Sequence, residues 1–234
     1  GALEAPGGAK LVIDFSGAIA DTEFQGVFRQ KDEEGRLYVF TQFESIHARD
    51  AFPGFDEPSF KFPYQITLEV PKDQLAFSNM PVAEEAIDGE LKRVTFAETP
   101  PLPSYLLAVA VGPFEVVDIG TGGRNKVPMR IVKPHGHQGE TRFAAEQLGT
   151  ILSRLEDYFD VPYPYPKLDS LIIPRFLGAM EHPGLITYDA QLLLRKPDEE
   201  GVDWRQTASS LAAHELAHQW FGNLVTLEWW DDVW

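Results

Sequence analysis

The residues best equipped for chemistry lie together near the end of the chain, in His214-Glu215-Leu216-Ala217-His218. Residues four apart on a helix share a face, so His214 and His218 can present two imidazole nitrogens to one ion. Glu215 sits about 100° further round. From there its carboxylate reaches a metal-held water from the side without occupying a coordination position. H-E-x-x-H on a helix is therefore a metal clamp with a built-in general base, and zinc is the ion it suits. A chance match in a chain of this length arises in about one protein in a hundred. The surroundings count against chance: Leu211, Ala212, Ala213, Leu216, Ala217, Trp220 and Phe221 leave the helix apolar on almost every side, which predicts burial. Buried histidines and a buried glutamate incur a desolvation cost unless they are paired or bound to a metal. The other histidines carry less. His135 and His137 fit a solvated loop, and His47, in a polar turn-like segment, has no metal-type spacing to another ligand.

The elements that must position this helix change character along the chain. Up to about Val117, short alternating runs rich in β-branched and aromatic residues predict antiparallel strands at Leu11–Phe15, Arg36–Phe43, Tyr64–Val70, Arg93–Phe96 and Leu106–Val111. The polar, glycine-rich stretch Gly120–Asn125 is the best candidate for a domain boundary. Beyond it, Phe143, Leu148, Ile151, Leu152, Leu155 and Tyr158 recur at helical spacing and predict a helix over about 141–159. The prolines of Val161–Pro166 force an extended run. Strands are expected at Leu171–Ile173 and around Gly184–Tyr188. After a charged loop, Arg195–Asp203, comes the last helix, from near Trp204 to Gly222. The fold class is α+β: a β-rich part over 1–119, then an α/β part over 120–234.

Composition narrows the partners. The 234 residues, 44% of them apolar, suffice for a sizeable core. A formal charge of −16, from 36 acidic against 20 basic residues, argues against nucleic acid or an anionic membrane, and suits a cationic ligand such as a free α-amine better. Much of that charge is ordinary solvated surface. With no cysteine there is no disulfide and no thiolate chemistry. No apolar run approaches the ~18 to 20 residues that span a bilayer, and Gly1–Lys10 lacks the order of a signal peptide and reads as linker. The expectation is a soluble protein of open compartment, the cytoplasm slightly favoured, and of unknown oligomeric state.

The last helix continues as Gln219-Trp220-Phe221-Gly222-Asn223-Leu224-Val225-Thr226 and then Trp229-Trp230-Asp231-Asp232-Val233-Trp234. Together with the helix this resembles the zinc aminopeptidases of the aminopeptidase N and leukotriene hydrolase family, the gluzincin metallopeptidases. Two upstream segments agree. Gly178-Ala179-Met180-Glu181-His182-Pro183-Gly184 is similar to the family's Gly-Ala-Met-Glu-Asn exopeptidase motif. Thr41-Gln42-Phe43-Glu44, followed by Ala48 to Pro58, is similar to its substrate-contacting segment.

The resemblance implies a saddle-like antiparallel β domain followed by the first part of a thermolysin-like α/β catalytic domain. It implies zinc on His214 and His218, with Glu215 as general base. It also implies Glu181 and Glu44 as carboxylates that hold the free α-ammonium of a peptide substrate. Gly178 and Ala179 would pair with substrate backbone, and Met180 and Gln42 would line the side-chain pocket. His182 stands where the family usually has asparagine and, as a histidine, could charge near neutral pH.

The family's third zinc ligand, a glutamate nineteen residues after the second histidine, falls three positions beyond Trp234. Its intermediate-stabilising tyrosine lies further on, and its first β strands precede Leu11. The expectation is a chain truncated at both ends that binds zinc poorly and is inactive alone. The alternatives are a non-catalytic binding module on the same fold, or the family's epoxide-hydrolase branch, against which Glu44 leans.

Overall fold

The structure is a computed structural model that describes residues 10–21, 24–32, 34–137 and 140–233. The N-terminal half is built from β1 (Gly26–Lys31), β2 (Leu37–Gln42), β3 (Thr67–Pro71), β4 (Leu75–Ser78), β5 (Val82–Asp88), β6 (Leu91–Phe96) and β7 (Val109–Gly112). The rest comprises β8 (Phe114–Gly122), β9 (Val127–Pro134), α1 (Arg142–Phe159), β10 (Leu168–Ile173), β11 (Ala179–Met180), β12 (Leu185–Asp189), α2 (Ala190–Leu193) and α3 (Val202–Ala217).

Three sheets result. A four-stranded sheet runs β1-β2-β7-β4 and a three-stranded sheet β3-β6-β5, both antiparallel. A five-stranded sheet runs β11-β12-β10-β9-β8, in which β9, β10 and β12 are parallel and the outer strands antiparallel. The fold is thus α+β, antiparallel sheets first and helices after.

The five-stranded sheet is covered on both faces, which is why all six residues of β10 are buried. Side chains alternate between two cores. Leu168 and Ile172 of β10, Met129 and Ile131 of β9, and Ile186 and Tyr188 of β12 face a core shared with Leu148 and Leu152 of α1 and Ala212 and Leu216 of α3. Leu171, Ile173, Val132 and Leu185 face the other way and, with Phe114 of β8, meet Phe28, Tyr38, Phe40 and Phe77 of the four-stranded sheet. The site-bearing helix therefore lies on one face of this sheet and the N-terminal β layer on the other.

Several expectations shift. Leu11–Phe15 alternates, yet every residue in it is exposed and forms no strand; period two needs a partner strand and a core to cover. β1, β4, β5, β8, β9 and the two-residue β11 were not anticipated. All of β5 is exposed at a sheet edge, so no burial period marks it, and β9 carries prolines within its span. The Gly120–Asn125 stretch forms the end of the β8–β9 hairpin. Asp118 accepts from the Gly120 N–H at 2.7 Å, and Gly120 and Gly123 take φ of +88° and +70°. Turns and linkers draw on the same residue types.

α1 ends as expected at Phe159, with Asp160 in a left-handed cap at φ 52° ahead of Val161-Pro162, although Tyr158 faces solvent. α3 starts near the expected place but ends at Ala217. Its first half is mostly exposed, so only the end nearer the histidines is buried as predicted. The chain then turns through Gly222 at φ +119°. No described helix is long and apolar enough to cross a membrane.

Candidate active site

The end of α3 brings His214 and His218 together. Their Nε2 atoms are 2.9 Å apart and their rings nearly perpendicular, at 87°. His218 is buried and His214 exposed. Because α3 stops at Ala217, the Phe221 carbonyl folds back and accepts from His218 Nδ1 at 2.9 Å. A carbonyl only accepts, so Nδ1 carries the proton and Nε2 keeps its lone pair toward His214, the arrangement metal-binding histidines use.

Burial, then the neighbouring His218, lowers the pKa of His214; burial lowers that of His218 against an opposing contact with Phe221. Both therefore favour the neutral form a metal needs. Two nitrogens on a tetrahedral zinc lie about 3.3 Å apart, given Zn–N bonds of about 2.0–2.1 Å. The pair as it stands is close to that spacing, and its donor set fits zinc. Among the described residues, no group of three or more His, Asp or Glu side chains converges to hold a metal ion.

Three carboxylates stand with the histidines as candidate site residues. Glu215 and Glu181 are buried, at 4% and 5% exposure, and each has one buried carboxylate oxygen with no hydrogen-bond partner. Glu44, half-buried, follows β2. Burial pushes the Glu215 carboxyl up to about 8, with the charges of Glu181 and Glu44 adding to it. Burial and then the Glu181 charge push Glu44 up to about 7. Burial also carries Glu181 up to about 7, against a hydrogen bond from its own backbone N–H. Burial raises all three acids, and the Glu181 charge adds to the rise of the other two, which marks a region short of positive charge.

The elements behind these side chains are specific. Glu181 directly follows β11, the last strand in its sheet order, which pairs with β12 through Ala179↔Tyr188 and Met180↔Thr187. Gly178 leads into it at φ +93°, a conformation suited to glycine. Its carbonyl accepts from Asp189 N–H at 2.9 Å, while the Asp189 carboxylate accepts from Phe176 N–H at 2.8 Å. Met180 points into a core with Leu102, Tyr105, Leu106 and Leu227. Gln42 closes β2, its Oε1 buried without a partner. The structure therefore brings the acids Glu44, Glu181 and Glu215 within reach of one another's charge, sets Gly178 and Ala179 at a sheet edge, and turns Met180 inward.

His182 departs from expectation. It is fully buried, its Nδ1 lies 3.5 Å from Thr187 Oγ1, and burial drives its pKa down to about 3. It stays neutral at any physiological pH, so it brings bulk and no charge. The remaining histidines lie elsewhere. His47 pairs with Asp50 at 2.7 Å, and His135 is exposed in the loop after β9. Gln138 and Gly139 of that loop, Gly1–Ala9 of the leading stretch and Trp234 of the tryptophan-rich end lie outside the described residues.

Several supporting residues escaped sequence reasoning. The Asn79 side chain donates to the Leu106 and Pro183 carbonyls at 2.9 and 3.0 Å and accepts from Ala108 N–H at 2.9 Å. Lys167 donates to the Gly184 carbonyl at 2.6 Å. A side chain at Gly184 would collide with the Asn79 backbone carbonyl. Tyr105 donates to the Gly222 carbonyl at 3.3 Å. The one signal for them was polar residues inside otherwise apolar runs.

Comparison with known proteins places these features in a lineage. Residues 1–106 match the Peptidase M1 N-terminal domain and residues 143–234 the Peptidase family M1 domain. Aminopeptidase M1-C of Oryza sativa subsp. japonica is 44% identical over 228 residues, covering 96% of this chain and 26% of the relative. Puromycin-sensitive aminopeptidase of Caenorhabditis elegans is 40% identical over 236 residues, covering 98% and 25%. Aminopeptidase N of Acetobacter pasteurianus is 38% identical over 234 residues, covering 97% and 65%. The chain thus spans about a quarter of the length of the first two relatives and 65% of the third. With the two parts of one family matched in order along it, and aminopeptidases as its relatives, the chain belongs to peptidase family M1, the family of aminopeptidase N.

Proposed function

We propose that this chain carries the metal-binding helix and the amine-recognition residues of a zinc-dependent aminopeptidase that removes N-terminal residues from peptides. The observation that carries the reading is the neutral His214–His218 pair flanking Glu215, a buried carboxylate that feels the charges of Glu181 and Glu44. The names of the relatives support it. The boundary at about residue 119, between an N-terminal β domain and the opening of a thermolysin-like domain, belongs to the same proposal.

In this reading His214 and His218 hold zinc through their Nε2 atoms. Zinc, when bound, supplies a Lewis acid that polarises the scissile carbonyl and makes water a competent nucleophile near neutral pH. Glu215 is the general base and would return the abstracted proton to the leaving amine. Glu181 and Glu44 accept charge-assisted hydrogen bonds from the substrate α-ammonium, which fixes the cut one residue from the end. The outer edge of Gly178 and Ala179 pairs with the substrate backbone as an added strand. Met180 and Gln42 border the first side-chain pocket, Met180 by packing beneath it.

With two histidine nitrogens and no further convergent ligand among the described residues, the isolated 234-residue chain binds zinc weakly and turns over nothing. Tight one-to-one zinc binding to it in isothermal titration would overturn that statement. The function itself is tested on the full natural protein, by release of dye from an aminoacyl-anilide with and without chelator. Turnover abolished by chelator and restored by zinc supports the reading. Absent or chelator-insensitive turnover moves the chain to the non-catalytic binding module.

A further inference from the structure

The turn that carries Glu181 is gripped by two buried side-chain amides from the segment that follows the metal helix. Gln219 Nε2 donates to the Glu181 carbonyl at 3.0 Å and to the Glu215 carbonyl at 3.1 Å. Asn223 Nδ2 donates to the same Glu181 carbonyl at 2.7 Å, while the Asn223 backbone N–H donates to the His218 carbonyl at 3.0 Å. Both side chains are buried, at 0% and 1% exposure. Asn223 is fixed in turn by Lys61, whose ammonium donates to its carbonyl at 3.3 Å, and by the Thr226 hydroxyl, which donates there at 2.8 Å.

Each amide therefore joins one residue of the His214–His218 segment to one backbone oxygen on β11's exit. Gln219 links the general base to Glu181, and Asn223 links the second histidine to Glu181. We infer that Gln219 and Asn223 are positioning residues that set the distance between the α-ammonium site and the reacting centre, and with it the preference for substrates with a free N-terminus.

The physical argument is one of registration. β11 is only two residues long and sits at the sheet edge, so its ladder alone fixes Glu181 poorly. The carboxylate of Glu181 lacks a partner on one oxygen and cannot anchor itself. Two donors on one carbonyl, arriving from rigid backbone, hold the turn in the frame of the histidines. A displacement near 1 Å at such a point costs on the order of 100-fold in rate, because the amine and the scissile bond lie on one short substrate. The inference rests on the aminopeptidase reading.

The test uses the zinc-loaded full natural protein, with one aminoacyl-anilide bearing a free α-amine and its N-acetylated counterpart. For Asn223→Ala we expect KM for the free-amine substrate to rise about tenfold, and the ratio of kcat/KM between free and acetylated substrates to fall by about tenfold or more, with zinc content unchanged. Gln219→Met, close in volume but without a donor, should move the ratio the same way by a smaller factor, and it carries the test if Asn223→Ala does not fold. A role confined to stability would lower both substrates alike and leave the ratio where it was. An unchanged ratio in the variants, in a protein that prefers free amines, overturns the inference and leaves the aminopeptidase reading intact. Absence of that preference in the unmodified protein defeats the reading first, and the inference with it.

Discussion

Two regions of this molecule bury acids under the same sheet and treat them in opposite ways. At β10, Asp169 is fully buried and accepts two bonds from Arg130, at 2.7 and 2.6 Å, and one from Lys167 at 2.9 Å. Burial works to raise its pKa, but the Lys167 charge and the Arg130 hydrogen bonds outweigh that and hold it below the usual carboxylate range. At the end of α3, Glu181 and Glu215 are buried to almost the same degree with no cation beside them, and their pKa values climb. Burial is shared, so the difference lies in compensation. Structural acids are supplied with partners by the chain itself, whereas acids at a binding site leave that place for a ligand.

The compensated acid gives the largest expected effect of a substitution on stability. Asp169→Asn would leave Arg130 and Lys167 half-satisfied in the interior and lower the unfolding free energy by about 3–5 kcal/mol, read from denaturant unfolding of this chain. A loss below about 1 kcal/mol would break the comparison, since it would mean the network is no better paired than the site. For the uncompensated side, Glu181→Ala in the full natural protein should lower kcat/KM for a free-amine anilide by about 100-fold while zinc content stays constant. An unaffected rate would remove Glu181 from amine binding.

This contrast was only half legible in the sequence. Spacing alone put His214, Glu215 and His218 on one helix, and the resemblance singled out Glu181 and Glu44. Nothing local distinguished Asp169 from Glu181, because compensation is delivered from residues 39 positions away in the case of Arg130. Gln219 and Asn223 were visible as part of a motif, but their common target at Glu181 depends on how the turn folds back over α3. The burial of His182 was hidden for the same reason. Its neutrality follows from layers packed above it, which a side-chain pKa table does not contain. The two long helices and the buried strands β10 and β12 were legible because period and length agree with burial there. β5 and β9 were not, since edge exposure erased one pattern and proline the other.

The smallest substitution effect concerns the charge left uncompensated at the site, and it carries a definite sign with pH. Glu44 and Glu181 titrate near pH 7 in the folded chain but from 4.5 in the unfolded chain, so between those values the folded state binds more protons. Stability of this chain without a cationic ligand should therefore fall as pH rises from 5 to 8, by on the order of 5 kcal/mol for the two groups together, read as a lower thermal midpoint. Glu44→Gln keeps the shape and removes one of the charges. It should stabilise the chain by about 2–3 kcal/mol at pH 8, where Glu44 is ionised in both states, and by less than about 1 kcal/mol at pH 5, where only the unfolded chain is largely ionised. The variant's shallower pH profile is the sharper result, because loss of a hydrogen bond or a packing change would act equally at both values. An equal effect at pH 5 and pH 8 would mean that Glu44 is already compensated in the folded chain, and the contrast with Asp169 would then rest on Glu181 alone.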